Sequence, residues 1–150
     1  GGGFGLACVT DVAIAAENTV FRLPETSLGV LSAQIAPFLV ERLGYAEAKR
    51  LAVTGSRIGA AEALQIRLVH EVHAAGVLDT ALARVTGDIL HCAPGALAAT
   101  KALVSRARWE QPASLVHDAA QAFSRAALGP EGVEGMTAFL QKRNAKWAPQ

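Results

Sequence analysis

The sequence is poor in the residues on which disulfide frameworks, zinc sites and nucleic-acid interfaces depend. It has two cysteines in 150 residues, Cys8 and Cys92, and no CxxC pair, which argues against a disulfide framework and against a zinc site. Lysine and arginine together number 14 against 13 acidic residues. This balance leaves no basic excess for a phosphate backbone, so we expect no nucleic-acid partner. We expect two buried thiols in a protein of a reducing compartment, the cytoplasm.

Long apolar runs are also missing, although the mean hydropathy is high at +0.29. Charged and amide side chains interrupt each run well before the ~18 residues that a membrane-spanning helix needs. No basic segment precedes the first apolar stretch, so the sequence predicts neither a signal peptide nor a membrane partner. The abundant alanine indicates closely packed helices whose surface is partly covered by other subunits.

Apolar spacing divides the chain into a strand-containing first third and a helical remainder. The pattern predicts short strands over 11–16, 20–21 and 68–73, and a loop over 24–29. It predicts helices over 34–43, 45–53, 60–66, 78–89, 95–108, 112–128 and 131–143. Gly44 is expected to stop one helix and Pro112 to begin another. The apolar stripe of that later helix, which includes Phe123, is expected to face the core.

Three glycines, Gly1 to Gly3, lead directly into an apolar segment. Their spacing matches neither a dinucleotide-binding fingerprint nor a P-loop. A glycine turn at the start of a helix exposes backbone N–H groups with the helix dipole behind them, and such donors can hold an anion or a developing oxyanion. A tight turn or a close helix–strand contact needs the same glycines, and the spacing alone favours this simpler interpretation.

Few other side chains have spacing that indicates chemistry. Glu25 follows Pro24 among apolar residues, where the charged form of a carboxylate is disfavoured, and such a group suits acid–base catalysis. An exposed loop glutamate or a helix cap is the alternative, and the residues alone favour it. His70 and His73 are three residues apart, so they cannot share one face of a strand, and we expect no metal site.

Five segments, in order, together resemble the enoyl-CoA hydratase/isomerase (crotonase) family. They lie at 1–17 (GGGFGLACVTDVAIAAE), 21–29 (FRLPETSLG), 50–64 (RLAVTGSRIGAAEAL), 68–72 (LVHEV) and 131–143 (EGVEGMTAFLQKR). The resemblance implies a partial α/β fold of the ClpP/crotonase type. Residues 1–90 would be the second half of its spiral core, and 91–150 a C-terminal helical region through which subunits form a trimer or hexamer. It also implies that the first half of the domain precedes these residues, and that they are inactive alone.

The resemblance assigns roles to particular residues. Gly2 matches the glycine whose N–H points at the carbonyl of a CoA thioester, and Gly1, Gly3 and Gly5 would border the bound acyl group. Glu25 matches a catalytic glutamate that transfers the proton. The substrate would be an acyl-CoA, and no cofactor is implied.

Phe139 and Lys142 match residues that reach the CoA site of a neighbouring subunit. Taken without the resemblance, the basic segment around Lys142 is a solvated helix end, which the helix dipole favours.

Three positions depart from the family pattern. Hydratases of the family carry a second glutamate where this chain has Gly5, and one carboxylate is enough for an isomerase. Residues 29–38 (GVLSAQIAPF) are nevertheless similar to isohexenylglutaconyl-CoA hydratases. Ser32 replaces a usual proline, and Arg67 a usual glycine. The leading hypothesis is hydration of a 2-enoyl-CoA; the alternatives are double-bond migration and non-catalytic acyl-CoA binding.

Overall fold

Proline and glycine set the starts and ends of many elements in this chain. Four helices carry a proline in their first turn, Pro37, Pro94, Pro112 and Pro130, where the missing N–H needs no acceptor. The computed structural model describes residues 1–149. The α-helices and strands in chain order are α1 (Gly2–Val9), β1 (Ile14–Ala16), β2 (Val20–Arg22), α2 (Ala36–Thr54), β3 (Arg57–Gly59), α3 (Ala60–Gln65), β4 (Glu71–His73), α4 (Leu78–Leu90), α5 (Pro94–Arg106), α6 (Pro112–Leu128) and α7 (Pro130–Leu140).

The chain divides into two units between Ala83 and Arg84. The first unit holds the four strands and α1 to α3, and the second holds α5 to α7. The expected boundary between 1–90 and 91–150 refers to the family's domain and stays a prediction. Across residues 1–149, no helix combines the length and the apolar character needed to cross a membrane.

Two short sheets organise the first unit. Strand β1 pairs in parallel with β4, and β2 pairs antiparallel with β3. The strand expected over 68–73 is wrong in its first three residues. Leu68 and Val69 are buried, and their N–H groups donate to the Ala63 carbonyl oxygen at 2.8 and 3.3 Å, which closes α3 and keeps these groups out of a ladder.

Side chains from α1, α2, α3 and the strands form the core of the first unit. Phe4 of α1 meets Phe21 of β2 edge to face, with ring centroids 5.9 Å apart. The largest fully buried side chains are Leu23, Leu39, Leu51, Ile58 and Leu68. Each such burial contributes about 1.5–3 kcal/mol, so these residues fix the strands against α2 and α3.

Helix α2 bends at Gly44. There φ is 74° and ψ is 162°, outside the helical region, in a conformation that favours glycine. The prediction that one helix stops at Gly44 and another begins at Tyr45 is confirmed. Gly55 ends the helix with φ 59°, and its N–H donates to the Leu51 carbonyl oxygen at 3.0 Å.

The second unit leaves more apolar surface exposed than the sequence predicts. Leu115 is buried, but Phe123 of the same helix is 74% exposed, so the expectation that Phe123 faces the core is wrong. Helix α6 contacts α5 and α7 within this unit, and those two helices do not cover its whole apolar stripe. Cys92 is exposed too, contrary to expectation, because it lies in the turn that follows α4; Cys8 is buried, as expected.

A long-range cap fixes the start of α5. The Glu131 carboxylate accepts hydrogen bonds from the N–H groups of Gly95 and Ala96, both at 3.0 Å. A Cβ at Gly95 would lie 2.8 Å from Glu131 Oε2, so a larger residue there would require the Glu131 carboxylate to shift. The negative charge also matches the positive end of the α5 dipole.

We expect Glu131→Ala to lower the free energy of unfolding by about 1–2 kcal/mol, because two helix N–H groups and the dipole lose their partner. Urea denaturation measures the change. The control is Glu17→Ala, since Glu17 is an exposed glutamate outside the α5 cap, and its free energy of unfolding should stay within about 0.5 kcal/mol of the parent value. Equal effects of the two substitutions would contradict the cap.

Candidate active site

Glu25 begins a 3-10 turn that replaces the loop expected after Pro24. The turn spans Glu25–Leu28, and Gly29 ends it with φ 74°. The Glu25 side chain is 17% exposed. Its Oε1 lies 3.4 Å from the Gly1 nitrogen, whereas Oε2 is buried without a hydrogen-bond partner. A buried carboxylate oxygen without a partner in the protein is free to accept a hydrogen bond from a polar group of a ligand.

The glycine turn lies beside this carboxylate. The Gly1 nitrogen is 3.0 Å from the Arg22 carbonyl oxygen, and the Gly1 carbonyl oxygen accepts the N–H groups of Phe4 and Gly5. Helix α1 begins at Gly2, which confirms the predicted helix start. Because the first N–H groups of a helix have no acceptor inside it, the amides of Gly2 and its neighbour are available donors.

No side chain crowds these donors. A Cβ built at Gly2 or Gly3 would meet no other atom within 4 Å, so both positions border open space. At Gly1 a Cβ would lie 3.8 Å from Glu25 Oε1, which places the carboxylate next to the turn. An open helix start beside a partly buried carboxylate can stabilise a developing negative charge next to a group that transfers protons.

Hydrogen bonds anchor the Glu25 turn to the end of α2. Thr26 Oγ1 donates to the Ala52 carbonyl oxygen at 3.1 Å, and Arg22 Nε donates to the Gly55 carbonyl oxygen at 2.9 Å. Ser27 Oγ donates to the Pro24 carbonyl oxygen at 2.6 Å. These bonds fix the backbone on both sides of the carboxylate.

Packing explains why position 5 is a glycine, and this reason was not predicted from the sequence. It is buried, and a Cβ there would lie 2.7 Å from Ile35 Cγ2. Ile35 therefore occupies the space that any side chain at this position would need. The acidic group in contact with the glycine turn is Glu25. The apolar segment around Ile35 was visible in the sequence, but its contact with Gly5 is long-range and had no local signal.

Phe139 and Lys142 lie in the second unit, at the end of α7. Phe139 is 82% exposed. Lys142 adopts φ 52°, and its N–H donates to the Phe139 carbonyl oxygen at 3.1 Å. The following Arg143 pairs with both carboxylate oxygens of Glu134 at 2.7 and 3.1 Å, which lowers the pKa of Glu134 to about 2. The turn that carries Lys142 is thus tied to α7.

Arg67 lies in a different place from the glycine turn. With Arg42, Leu64, Val69 and His70 it lines an open groove of about 450 Å³, and no predicted site residue lines that groove. Arg67 has φ 64°, a left-handed conformation that favours glycine and explains why glycine is usual at this position.

The two histidines that the sequence singled out have structural partners. His70 Nδ1 accepts the Ala13 N–H at 2.9 Å, and His73 Nε2 lies 2.7 Å from Glu71 Oε2. Within the described part of the chain, no group of three or more His, Cys, Asp or Glu side chains is placed to hold a metal ion.

The chain is similar to known proteins over nearly its whole length. The sequence model described as enoyl-CoA hydratase/isomerase matches residues 1–150. The chain belongs to this family. A carnitinyl-CoA dehydratase from Proteus mirabilis is 31% identical over 152 residues, covering 98% of this chain and 58% of that protein. The same enzyme from Escherichia coli O157:H7 is 30% identical with equal coverage.

Solved structures of the family share the fold. An enoyl-CoA hydratase/isomerase from Marinobacter aquaeolei is 51% identical with a TM-score of 0.96, covering 99% of this chain and 57% of its own. AtuE of Pseudomonas aeruginosa gives the same identity and TM-score, with 58% of its chain covered. The expected partial α/β crotonase fold is thereby confirmed. The chain spans about 58% of the length of the carnitinyl-CoA dehydratases that it matches.

The contact between Gly5 and Ile35 predicts the direction in which a substitution changes the free energy of unfolding. We expect Gly5→Ala to be neutral or destabilising by about 1 kcal/mol, because overpacking against Ile35 outweighs the helix propensity gained by alanine. In an Ile35→Ala background the same change should stabilise by up to about 1 kcal/mol, since the clash is gone. Urea denaturation of all four proteins measures the coupling. An equal effect of Gly5→Ala in both backgrounds would show that Ile35 does not fill this space.

The left-handed backbone at Arg67 leads to a second prediction for stability. Replacing Arg67 with glycine should raise the free energy of unfolding by about 0.5–1 kcal/mol, because glycine removes a conformational penalty larger than the entropy it adds to the unfolded chain. Arg67→Ala is the matched control, since alanine shortens the side chain without relieving the backbone, and no gain is expected. Thermal and urea unfolding measure both. A gain with alanine as large as with glycine would contradict the argument.

Proposed function

We propose that these residues take part in the addition of water to a 2-enoyl-CoA thioester. The observation that carries the proposal is the pairing of two features in one small volume: an open helix start at Gly2 and the buried, unpartnered Oε2 of Glu25 beside it. The printed names of the relatives support the reaction class, since a carnitinyl-CoA dehydratase removes water from a CoA thioester. No cofactor is needed for this chemistry.

The Gly2 N–H would stabilise the high-energy species of the reaction. When a nucleophile adds to the β-carbon, the double-bond electrons move toward the thioester and its oxygen becomes an enolate oxyanion. A fixed N–H donor at a helix start lowers the energy of that oxyanion without reorganisation, typically by ~3–4 kcal/mol. The absence of side chains at Gly2 and Gly3 leaves room for the thioester to approach.

Glu25 would move the proton. As the water oxygen forms its bond to the β-carbon, one water proton passes to Glu25 Oε2. The enolate then collapses, and its α-carbon takes a proton from the same carboxyl group, which restores the carboxylate. The sum is one water added across the double bond, with no proton or electron left over. A single carboxylate therefore suffices if the water is held in place by other groups.

The remaining predicted residues would complete the substrate site. Gly1 and Gly3 border the acyl group, while Gly5 keeps α1 close to Ile35. In a trimer or hexamer of the cytoplasmic protein, Phe139 and Lys142 would reach the CoA of a neighbouring subunit, where the ammonium group meets a phosphate. Residues 29–38 favour a branched glutaconyl-type acyl group, whose own carboxylate would help to position the water.

Double-bond migration is a second candidate function, and one observation favours it. Because Ile35 fills the space beside Gly5, no second carboxylate can enter there without repacking. Moving a proton between the α- and γ-carbons of a 3-enoyl-CoA needs one base and one oxyanion donor, which are the same two groups, Glu25 and the Gly2 N–H.

Glu25→Gln in the full-length protein should lower the rate of product formation about 10²–10⁴-fold, because the amide cannot take a proton, with little change in folding. Product mass after incubation with a 2-enoyl-CoA and, separately, a 3-enoyl-CoA gives the reaction type. Gain of one water identifies hydration, and unchanged mass with a shifted double bond identifies isomerisation. Glu17→Gln is the matched control and should leave the rate unchanged. Full activity of Glu25→Gln would contradict the role of Glu25, and a parent that converts neither substrate would leave acyl-CoA binding as the remaining function.

A further inference from the structure

Two buried side-chain oxygens in the described residues have no hydrogen-bond partner, and they belong to the same stretch of chain. They are Glu25 Oε2 and Ser32 Oγ. A buried polar atom without a partner costs about 1–3 kcal/mol, so proteins rarely keep one that nothing satisfies. Glu25 Oε2 is accounted for by the proposed reaction. The Ser32 hydroxyl has no such account, and a proline at this position would carry no hydroxyl.

The backbone ties Ser32 to the proposed site from both directions. On one side, the Val30 N–H donates to the Glu25 carbonyl oxygen at 3.0 Å, which folds the segment back over the Glu25 turn. On the other side, the Ser32 carbonyl oxygen accepts the Ala36 N–H at 3.0 Å, and the intervening Ile35 packs on α1. Ser32 therefore lies between a backbone hydrogen bond to the Glu25 turn and Ile35, whose side chain packs on α1.

A water molecule that is to attack a carbon needs more than one fixed contact. Glu25 Oε2 can accept one of its protons, and one lone pair must stay free for the new bond. Its second O–H then needs an acceptor, or the water rotates away from the β-carbon. Gly5 cannot supply this acceptor, because it has no side chain and Ile35 fills the space. A serine hydroxyl can accept such a bond and is not ionised at neutral pH.

We propose that Ser32 Oγ binds the reacting water together with Glu25 Oε2. This inference rests on the proposed function and adds to it the group that holds the water in a site with one carboxylate. In the step itself, the Ser32 hydroxyl keeps its own proton; the water proton that faces Glu25 is the one transferred. Ser32 acts in hydration and has no part in proton transfer at the α-carbon.

This division of roles gives a test in the full-length protein. Ser32→Ala should lower kcat for hydration of a 2-enoyl-CoA roughly 10–100-fold, with KM for the thioester nearly unchanged. The same variant should exchange the α-protons of a saturated acyl-CoA with D₂O at the parent rate, because that reaction uses Glu25 and Gly2 without water addition. Glu25→Gln should lose both reactions. Unchanged hydration by Ser32→Ala would overturn the inference while leaving the proposed function intact.

Two further measurements distinguish a folding defect from the loss of the contact between the Ser32 hydroxyl and the water. Ser32→Ala should unfold close to the parent temperature, since the hydroxyl makes no hydrogen bond to another protein group. Ser32→Thr keeps the hydroxyl and should retain most of the hydration rate. A Ser32→Thr variant as slow as Ser32→Ala would contradict a role of the hydroxyl.

A high-resolution crystal structure supplies a readout that is independent of activity. We expect a water within hydrogen-bond distance of both Ser32 Oγ and Glu25 Oε2 in the parent, and its loss in Ser32→Ala. If the parent hydrates no 2-enoyl-CoA but holds this water, the proposed function is wrong and the inferred water site stands. A parent structure in which no water contacts Ser32 Oγ, or in which Ser32 Oγ bonds to a different group, would overturn the inference whatever the activity.

Discussion

The packing of α1 against the segment that carries Glu25 is the contact on which the rest of the site depends. Phe4 meets Phe21 before the Glu25 turn, and Gly5 meets Ile35 after it. Both ends of the same segment thus rest on one short helix. Because two adjacent helix positions make these contacts, the start of α1 cannot move relative to the carboxylate without opening the core.

Several separate observations follow from this single arrangement. Gly5 is glycine because Ile35 has taken the space of its side chain, and that leaves Glu25 as the carboxylate at the glycine turn. Gly2 and Gly3 stay open because nothing else in the chain approaches them. The proposed site has one acid and one oxyanion donor and needs a further contact for the water, and the buried hydroxyl of Ser32 is an unpartnered group in the same segment.

Local chemistry made much of the fold predictable, whereas long-range contacts did not show in the sequence. Gly44 and Pro112 mark helix ends and starts through their own backbone preferences, so both were predicted correctly. The roles proposed for Gly2 and Glu25 rest on resemblance to a family, because spacing alone favoured simpler interpretations. The exposure of Phe123 could not be foreseen, since it depends on which neighbours cover α6. The left-handed backbone of Arg67 was not predicted, because arginine rarely adopts this conformation.

The most direct test of the central claim is a crystal structure of the full-length protein with a saturated acyl-CoA bound. The account predicts the thioester oxygen about 2.7–3.2 Å from the Gly2 nitrogen, with Glu25 Oε2 facing the α- and β-carbons of the acyl chain. That result would place the oxyanion donor and the acid on one substrate, as the packing of α1 requires. A thioester oxygen bound away from Gly2, with Glu25 facing no acyl carbon, would contradict the account.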